Sequence, residues 1–180
     1  MDEKVKKKIS KFLSLILRHS PDSIRLRLDE NGWAEVEELI QKSAVKGMPF
    51  TSQELEVVVL TNDKQRFSYN EDKTKIRASQ GHSVDIELQL EPMAPPEILY
   101  HGTVEKFLQS IRTEGLRKME RHHVHLSRDR ETSEKVGSRR GTAIILVVRS
   151  GEMNRDGFEF YLSANGVWLT EQVPVKYIED

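Results

Sequence analysis

Arg18 and His19 stand side by side where a predicted helix ends, and both side-chain types bind phosphate. Apolar residues recur at helical spacing through residues 9–17, and Pro21 prevents the helix from continuing. An arginine fork can bind two phosphate oxygens at once, and an imidazole can donate a further hydrogen bond or move a proton. The pair alone leaves two interpretations open, a phosphate site and a solvated helix end with a favourable charge.

A second group of reactive residues follows a predicted strand in the other half of the chain. His101, Gly102 and Thr103 lie where that strand meets the next helix. Glycine lets a ligand approach the bare backbone, while the histidine and threonine side chains can bond to a ribose or an amide. For a motif this short, capping of the helix by Thr103 is the favoured alternative.

Two histidines, His123 and His125, share one face of a further predicted strand, and Ser127 stands at its end. The sequence shows no Asp, Glu or Cys at ligand spacing beside them, so we expect no metal here. Contact with the core or with a ligand is the preferred interpretation of these histidines.

Composition limits the classes of function that this chain of 180 residues can have. Its formal net charge is −1, so a polyanion must bind a local basic patch, and nine Lys and Arg against five Asp and Glu lie between Arg112 and Arg140. The absence of cysteine excludes disulfides and thiolate chemistry. No apolar run approaches the roughly 20 residues of a membrane span, and no signal peptide is evident. We expect a soluble cytoplasmic monomer with no membrane partner.

The first half of the chain predicts three helices followed by a β-hairpin. The predicted helices lie before Pro21, between 36 and 47, and from 51 to 59, and the hairpin covers 67–78. Thr51 and Glu54 form the pattern of a capping box at the third helix. This order is typical of a winged-helix module that binds nucleic acid, and a purely structural lobe is the equal alternative.

A break in regular patterning separates the two halves. Residues 84–90 alternate and predict one more strand, and residues 91–96 then carry three prolines, which predict a stiff linker. We therefore expect two domains, 1–91 and 92–180. The second is predicted to be an α+β sheet domain with a fully buried strand over 143–148.

Eight segments together resemble the successive motifs of the RNA 2′-phosphotransferase family, also called KptA or tRNA 2′-phosphotransferase. They are Ser14-Leu15-Ile16-Leu17-Arg18-His19-Ser20-Pro21, Asn31-Gly32-Trp33-Ala34, Asp63-Lys64-Gln65-Arg66-Phe67, Arg77-Ala78-Ser79-Gln80-Gly81-His82-Ser83, Tyr100-His101-Gly102-Thr103, His123-Val124-His125-Leu126-Ser127, Val136-Gly137-Ser138-Arg139-Arg140-Gly141 and Asn165-Gly166-Val167-Trp168-Leu169-Thr170. The resemblance covers nearly the whole chain, and eight motifs in this order are not expected by chance.

The resemblance implies an N-terminal winged-helix lobe for RNA joined to a C-terminal ADP-ribosyltransferase-like lobe for NAD. It implies two steps, of which the first is attack of an internal RNA 2′-phosphate on the nicotinamide ribose with loss of nicotinamide. The ribose 2″-hydroxyl then attacks phosphorus and releases 2′-hydroxyl RNA and ADP-ribose 1″,2″-cyclic phosphate. It implies tRNA processing, such as tRNA splicing, as the setting.

The resemblance also implies roles for particular residues. The catalytic Arg-His-Arg-Arg set of the family corresponds to Arg18, His19, Arg66 and Arg139, with the adjacent Arg140 as the alternative for the last. NAD contacts correspond to His101, Gly102, Thr103, His125 and Ser127, and no metal is implied. Where many protein-modifying relatives carry a glutamate, this chain has the segment Asn165-Gly166-Val167-Trp168, which fits the RNA enzymes and disfavours a protein-directed activity.

Two other classes of function stay open at this point. A winged-helix regulator with a ligand-binding lobe would use the same first half without chemistry. An ADP-ribosyltransferase that caps nucleic-acid or protein acceptors would stop at the ADP-ribosylated adduct. The products therefore distinguish all three classes.

Overall fold

In a computed structural model of the chain, which describes residues 1–62 and 64–180, the polypeptide forms two compact units, Met1–Gln89 and Leu90–Asp180. The sequence-based division lies two residues further along the chain. Each unit encloses its own apolar core. In the part of the chain that the structure describes, no helix is long and apolar enough to cross a membrane.

The N-terminal unit contains three α-helices, a short 3-10 helix and a small antiparallel sheet. Its elements are α1 (Glu3–Arg18), the 3-10 helix (Pro21–Ile24), β1 (Ala34–Glu35), α2 (Val36–Val45), α3 (Ser52–Leu60), β2 (Phe67–Tyr69) and β3 (Lys75–Ala78). The strand order is β1-β3-β2, so β3 is central and forms the predicted hairpin with β2. Thr51 and Glu54 form the predicted capping box of α3, with Thr51 Oγ1 accepting from the Glu54 backbone at 3.1 Å.

One face of α1 supplies much of the core of this unit. Ile9, Leu13, Ile16 and Leu17 are fully buried on that face. Their spacing of three and four residues is the reason that α1 forms as an amphipathic helix. The same packing fixes the position of the helix end that carries Arg18.

The strand predicted over residues 84–90 is wrong. This stretch has no regular structure, although Ile86 is buried as the alternation suggests. Its backbone bonds to the end of α1 and to a turn instead of to a strand, since the Val84 N–H donates to the carbonyl oxygen of Arg18 and the Glu87 N–H to that of Glu30. Gln89 also adopts a φ of 54°, which extended strands do not use.

The C-terminal unit mixes short strands with three helices in an α+β arrangement. Its elements are β4 (Leu99–Thr103), α4 (Glu105–Glu114), β5 (Leu116–Arg117), β6 (Val124–Leu126), α5 (Arg130–Gly137), a 3-10 helix (Ser138–Arg140), β7 (Ile144–Val148), α6 (Ser150–Arg155), β8 (Phe160–Leu162), β9 (Trp168–Thr170), β10 (Gln172–Val173), a 3-10 helix (Val175–Tyr177) and β11 (Ile178–Glu179). The strand orders are β11-β7-β4, β6-β9-β8 and β10-β5, and all pairings are antiparallel.

The core of this unit lies between these small sheets and their helices. Tyr177, Phe160 and Leu99 are among its fully buried side chains. Strand β7 is not fully buried as predicted, because only Leu146 and Val148 are removed from solvent. A run of apolar residues predicted burial on both faces, whereas the last three side chains of β7 alternate between buried and half-buried.

Candidate active site

The structure places Arg18 and His19 together at the C-terminal end of α1, as the sequence predicts. Arg18 is the last helical residue and is half-buried, and His19 caps the helix with an exposed side chain. The backbone N–H groups of Ser83 and Val84 donate to the carbonyl oxygen of Arg18 at 2.9 and 3.3 Å. The end of α1 is therefore anchored by a loop that lies some sixty residues away in sequence.

The same loop, residues 79–83, also holds the segment that carries Arg66. The Ser79 backbone N–H donates to the carbonyl oxygen of Arg66 at 2.9 Å, and the Ser79 hydroxyl donates to the carbonyl oxygen of Gln65 at 2.9 Å. Arg66 itself is half-buried and stands directly before β2. The loop 79–83 thus fixes the backbone of both arginines that the sequence assigns to this unit.

A side-chain contact from the same loop reaches His19. The His19 Nδ1 and the Ser83 hydroxyl oxygen are 2.9 Å apart, a hydrogen-bond distance. Ser83 belongs to one of the motifs of the sequence analysis, but no role was predicted for it. The motif around Arg66 begins at Asp63, which lies outside the described residues.

In the C-terminal unit, a hydrogen bond joins two of the predicted NAD-binding histidines. The Nδ1 of His101 lies 3.0 Å from the carbonyl oxygen of His125. A carbonyl oxygen only accepts, so Nδ1 of His101 carries the hydrogen, and neutral His101 offers Nε2 as an acceptor. Burial lowers the pKa of His101 and favours that neutral form, and the nearby charge of Arg121 acts in the same direction.

Arg121 sets the hydrogen-bonding polarity of His125 in the same way. An Nη1 of Arg121 lies 3.3 Å from Nδ1 of His125. A guanidinium only donates, so Nδ1 of His125 accepts, and the hydrogen of the neutral ring is on Nε2. The pair His101 and His125 therefore presents one acceptor and one donor nitrogen.

Arg121 was not predicted as a site residue, although it belongs to the basic stretch that the sequence singled out. Removal from water lowers the pKa of its guanidinium, and the positive charges of Arg140 and Arg139 lower it further. Within this unit Arg139 and Arg140 therefore act electrostatically on Arg121, and the three form a cluster of positive charge. Such a cluster favours a bound anion.

The two adjacent arginines of the cluster differ in their contacts. The guanidinium carbon of Arg140 lies 5.9 Å from the centre of the Phe107 ring, within the range of a cation–π contact. Arg139 and Arg140 are both exposed in the 3-10 helix that follows α5. The contact with Phe107 gives Arg140 a packing role.

Gly102 is required by packing, which differs from the reason the sequence suggested. A β-carbon at Gly102 would lie 1.9 Å from the carbonyl oxygen of Ser133 in α5, and one at Gly137 would lie 3.1 Å from the Gly102 carbonyl carbon. The backbones of β4 and α5 therefore meet at these two glycines. The space beside Gly102 that was expected to admit a ligand is filled by α5, and Gly102 as an NAD contact remains a prediction.

Thr103 does not cap α4, so that expectation is wrong. Thr103 is the buried last residue of β4, and Val104 is the N-cap residue without a side-chain bond to the helix. The β-ladder continues through Thr103, which pairs with Ile144 of β7, and this pairing moves the start of the helix one residue further on.

Ser127 is fixed next to His101 by backbone bonds. The N–H and carbonyl groups of Ser127 and Tyr100 exchange two hydrogen bonds of 2.8 Å. Asp129 then caps α5, since its carboxylate accepts from the Thr132 N–H at 2.7 Å, and this bond helps to lower the pKa of Asp129. The structure thus brings together His101 of β4, His125 of β6 and Ser127, which directly follows β6.

Across residues 1–62 and 64–180, no group of three His, Cys, Asp or Glu side chains is arranged to hold a metal ion. His123 precedes β6 and does not lie within it, and its ring lies 5.5 Å from that of Tyr161. Burial lowers the pKa of His123. This histidine therefore packs against an aromatic neighbour.

Comparison with known proteins agrees with the resemblance seen in the motifs. A model of the family described as "RNA 2'-phosphotransferase, Tpt1 / KptA family" matches residues 4–172. The chain belongs to this family. Its similarity extends through both units, and therefore through every residue of the candidate site.

Individual relatives of the family are similar along their full length. A protein of Flavobacterium johnsoniae named "Probable RNA 2'-phosphotransferase" is 65% identical over 99% of this chain and 98% of its own length. Proteins of the same name from Burkholderia pseudomallei and Streptomyces coelicolor are 56% and 54% identical over 94% and 95% of this chain, and 92% and 93% of their own lengths. The chain thus matches these relatives as whole proteins.

Proposed function

We propose that this protein removes an internal 2′-phosphate from RNA by transferring it to the ADP-ribose of NAD. The products are 2′-hydroxyl RNA, nicotinamide and ADP-ribose 1″,2″-cyclic phosphate, and RNA carrying 2′-phospho-ADP-ribose is the intermediate. Membership of the RNA 2′-phosphotransferase family over residues 4–172 is the observation that carries this proposal. We place the reaction in the cytoplasm and assign it to a monomer.

In this proposal the N-terminal unit is the RNA-binding lobe, of winged-helix type. Three helices followed by the hairpin of β2 and β3 support that assignment. Arg18, His19 and Arg66 supply the phosphate contacts, since the loop 79–83 holds their segments in place. The positive charges of the two arginines suit a phosphorus centre that gathers negative charge during transfer.

The C-terminal unit is then the NAD-binding lobe, of ADP-ribosyltransferase-like type. The chemistry of its residues fits NAD, because neutral His101 offers an acceptor nitrogen to a ribose hydroxyl and neutral His125 offers a donor. The guanidinium of Arg121 adds a positive charge that fits the diphosphate of NAD. When bound, NAD supplies the ribose carbon that receives the RNA phosphate.

Arg139 rather than Arg140 is our choice for the fourth catalytic residue. The contact of Arg140 with Phe107 supports this choice, because it occupies the Arg140 guanidinium in packing. Arg139 then adds a donor to the phosphate oxygens when negative charge develops on them.

The test is incubation of the protein with an oligonucleotide that carries one internal 2′-phosphate, with and without NAD, and with EDTA. We expect removal of the phosphate only with NAD, full activity in EDTA, and a cyclic-phosphate product by mass spectrometry. An oligonucleotide without the 2′-phosphate is the control. An ADP-ribosylated adduct as the end product would indicate a capping enzyme, and absence of any product would favour a regulator.

A further inference from the structure

In the loop 79–83, the Ser83 hydroxyl touches a predicted catalytic residue, His19. His19 is exposed beyond the end of α1, so packing alone does not fix the rotation of its ring. Ser83, in contrast, is fixed by its own backbone N–H, which donates to the carbonyl oxygen of Arg18. The hydroxyl therefore reaches the imidazole from an anchored position.

A hydroxyl suits this place because it can either donate or accept. With neutral His19 it can donate to Nδ1, and with the imidazolium it can accept from Nδ1. In both of these states Nε2 carries a hydrogen and can donate to a phosphate oxygen, which only accepts. A neutral ring with its hydrogen on Nδ1 would donate to the Ser83 hydroxyl and leave Nε2 without a hydrogen, and a phosphate oxygen at Nε2 disfavours that form.

We propose that Ser83 is a positioning residue for the reaction, holding His19 at Nδ1 so that Nε2–H donates to the RNA 2′-phosphate. This inference rests on the proposed function. Ser83 does not touch the phosphate in this role, and it acts through His19 alone. The backbone bond from Ser83 to Arg18 does not depend on the hydroxyl and is retained in any substitution except proline.

The first test compares Ser83→Ala with Ser83→Thr, which retains the hydroxyl. We expect kcat for removal of the RNA 2′-phosphate to fall about ten- to a hundredfold in Ser83→Ala, as for a misplaced reacting group. The KM for NAD should not change, and Ser83→Thr should recover most of the activity. Ser23→Ala is the matched control, because the Ser23 hydroxyl bonds only locally to the Ser20 carbonyl oxygen.

The second test is a double-mutant cycle with His19→Ala. If Ser83 acts only through His19, adding Ser83→Ala to His19→Ala will cause no further loss of activity. An equal loss in both backgrounds would overturn the inference. Thermal unfolding of each variant shows whether the fold is retained, and the cycle is repeated with Ser83→Gly if Ser83→Ala does not fold.

The third test does not depend on turnover. Nitrogen NMR of histidine-labelled protein, with the His19 ring assigned by His19→Gln, reports which ring nitrogen carries the hydrogen. With a 2′-phosphorylated oligonucleotide and no NAD, we expect a single Nε2–H form in the parent protein and averaged signals in Ser83→Ala.

The outcomes separate the inference from the proposed function. An active parent protein with unchanged kcat and unchanged NMR signals in Ser83→Ala would overturn the role of Ser83 and leave the proposed function intact. An inactive parent protein would overturn the proposed function, and the NMR comparison would still decide whether Ser83 holds His19.

Discussion

At the scale of single residues, the site depends on which atom of each side chain donates and which accepts. Carbonyl and guanidinium partners determine this for His101 and His125, whereas the Ser83 hydroxyl can either donate to Nδ1 of His19 or accept from it. The types Arg, His and Ser were evident from the sequence, but their hydrogen-bond partners were not. The sequence did not indicate Arg121, because a spacing of four residues brings two side chains together on a helix. Arg121 lies instead in the loop before β6, where this rule does not predict its contact with His125.

Arg18→Lys tests whether shape matters in addition to charge at the end of α1. A lysine keeps the positive charge but cannot form two parallel bonds to a phosphate, so we expect a loss of activity on the order of tenfold or more. Initial rates with a 2′-phosphorylated oligonucleotide measure it. Arg27→Lys, at a 90% exposed side chain of the same unit, is the control and should be near normal. Normal turnover in Arg18→Lys would remove Arg18 from the phosphate site.

Arg139→Ala should affect the second step more than the first. The first step breaks a glycosidic bond and builds positive charge, whereas the second builds negative charge on phosphorus, and loss of one preorganised donor costs ~10²–10³ in rate. With steps of similar rate in the parent protein, RNA carrying 2′-phospho-ADP-ribose should accumulate. Rapid-quench gels of labelled RNA detect it. Accumulation in Arg140→Ala instead would transfer the role to Arg140.

His101 should make the folded protein less stable in mild acid. Burial holds its pKa below the ordinary value of about 6.5, so the unfolded chain takes up a proton that the folded chain refuses. This loss of stability is absent well above pH 6.5 and begins as the pH falls through that value. It is complete once the pH lies below the pKa of His101 in the folded protein. Urea unfolding at several pH values between 5 and 8 measures it. His101→Gln should show a shallower pH dependence, and an equal one would contradict the assignment.

At the scale of elements, local patterns were predicted well and pairing was predicted less well. The capping box at Thr51, the hairpin of β2 and β3, and the helix end at Arg18 follow from rules that act within a few residues. The prediction of a strand over 84–90 was wrong, because alternation shows which side chains are buried but not which backbone groups pair. Thr103 does not cap α4, because it is the last residue of β4 and pairs with β7.

The contact between β4 and α5 predicts a costly substitution at Gly102. Alanine there would place a β-carbon 1.9 Å from the Ser133 carbonyl oxygen, so the helix must move and we expect a loss of about 3 kcal/mol or more. Gly157→Ala is the control, because its φ is +97° with open space around it, which costs about 1 kcal/mol by backbone strain alone. Urea unfolding compares the two. Similar losses would mean that α5 shifts easily.

At the scale of the whole molecule, the proposed function depends on local charge and not on total charge. The chain carries 28 basic and 29 acidic residues, so a general attraction to RNA is absent. The family could be identified from motif order along the chain, and both units carry residues of the proposed reaction. Composition alone could not have identified the family, because it does not record where each residue stands along the chain.

This charge balance predicts a weak dependence of RNA binding on salt. At about −0.7 for each phosphate of a single strand, contacts limited to the 2′-phosphate and a neighbouring phosphodiester give a slope of log affinity against log salt of roughly −1 to −2. Arg139→Ala should make this slope shallower. Fluorescence anisotropy with a 2′-phosphorylated oligonucleotide, without NAD and over a range of sodium chloride concentrations, measures both. A slope of about −5 or steeper would indicate a much larger electrostatic footprint.

The repulsion that Arg139 and Arg140 exert on Arg121 has a consequence for how this protein would respond to selection. Like charges held near one another destabilise the ligand-free fold, and a bound anion relieves that cost. Selection for heat resistance alone, with no demand for activity, should therefore replace these arginines early. Selection that also demands activity should keep them and find its stabilising changes elsewhere in the chain.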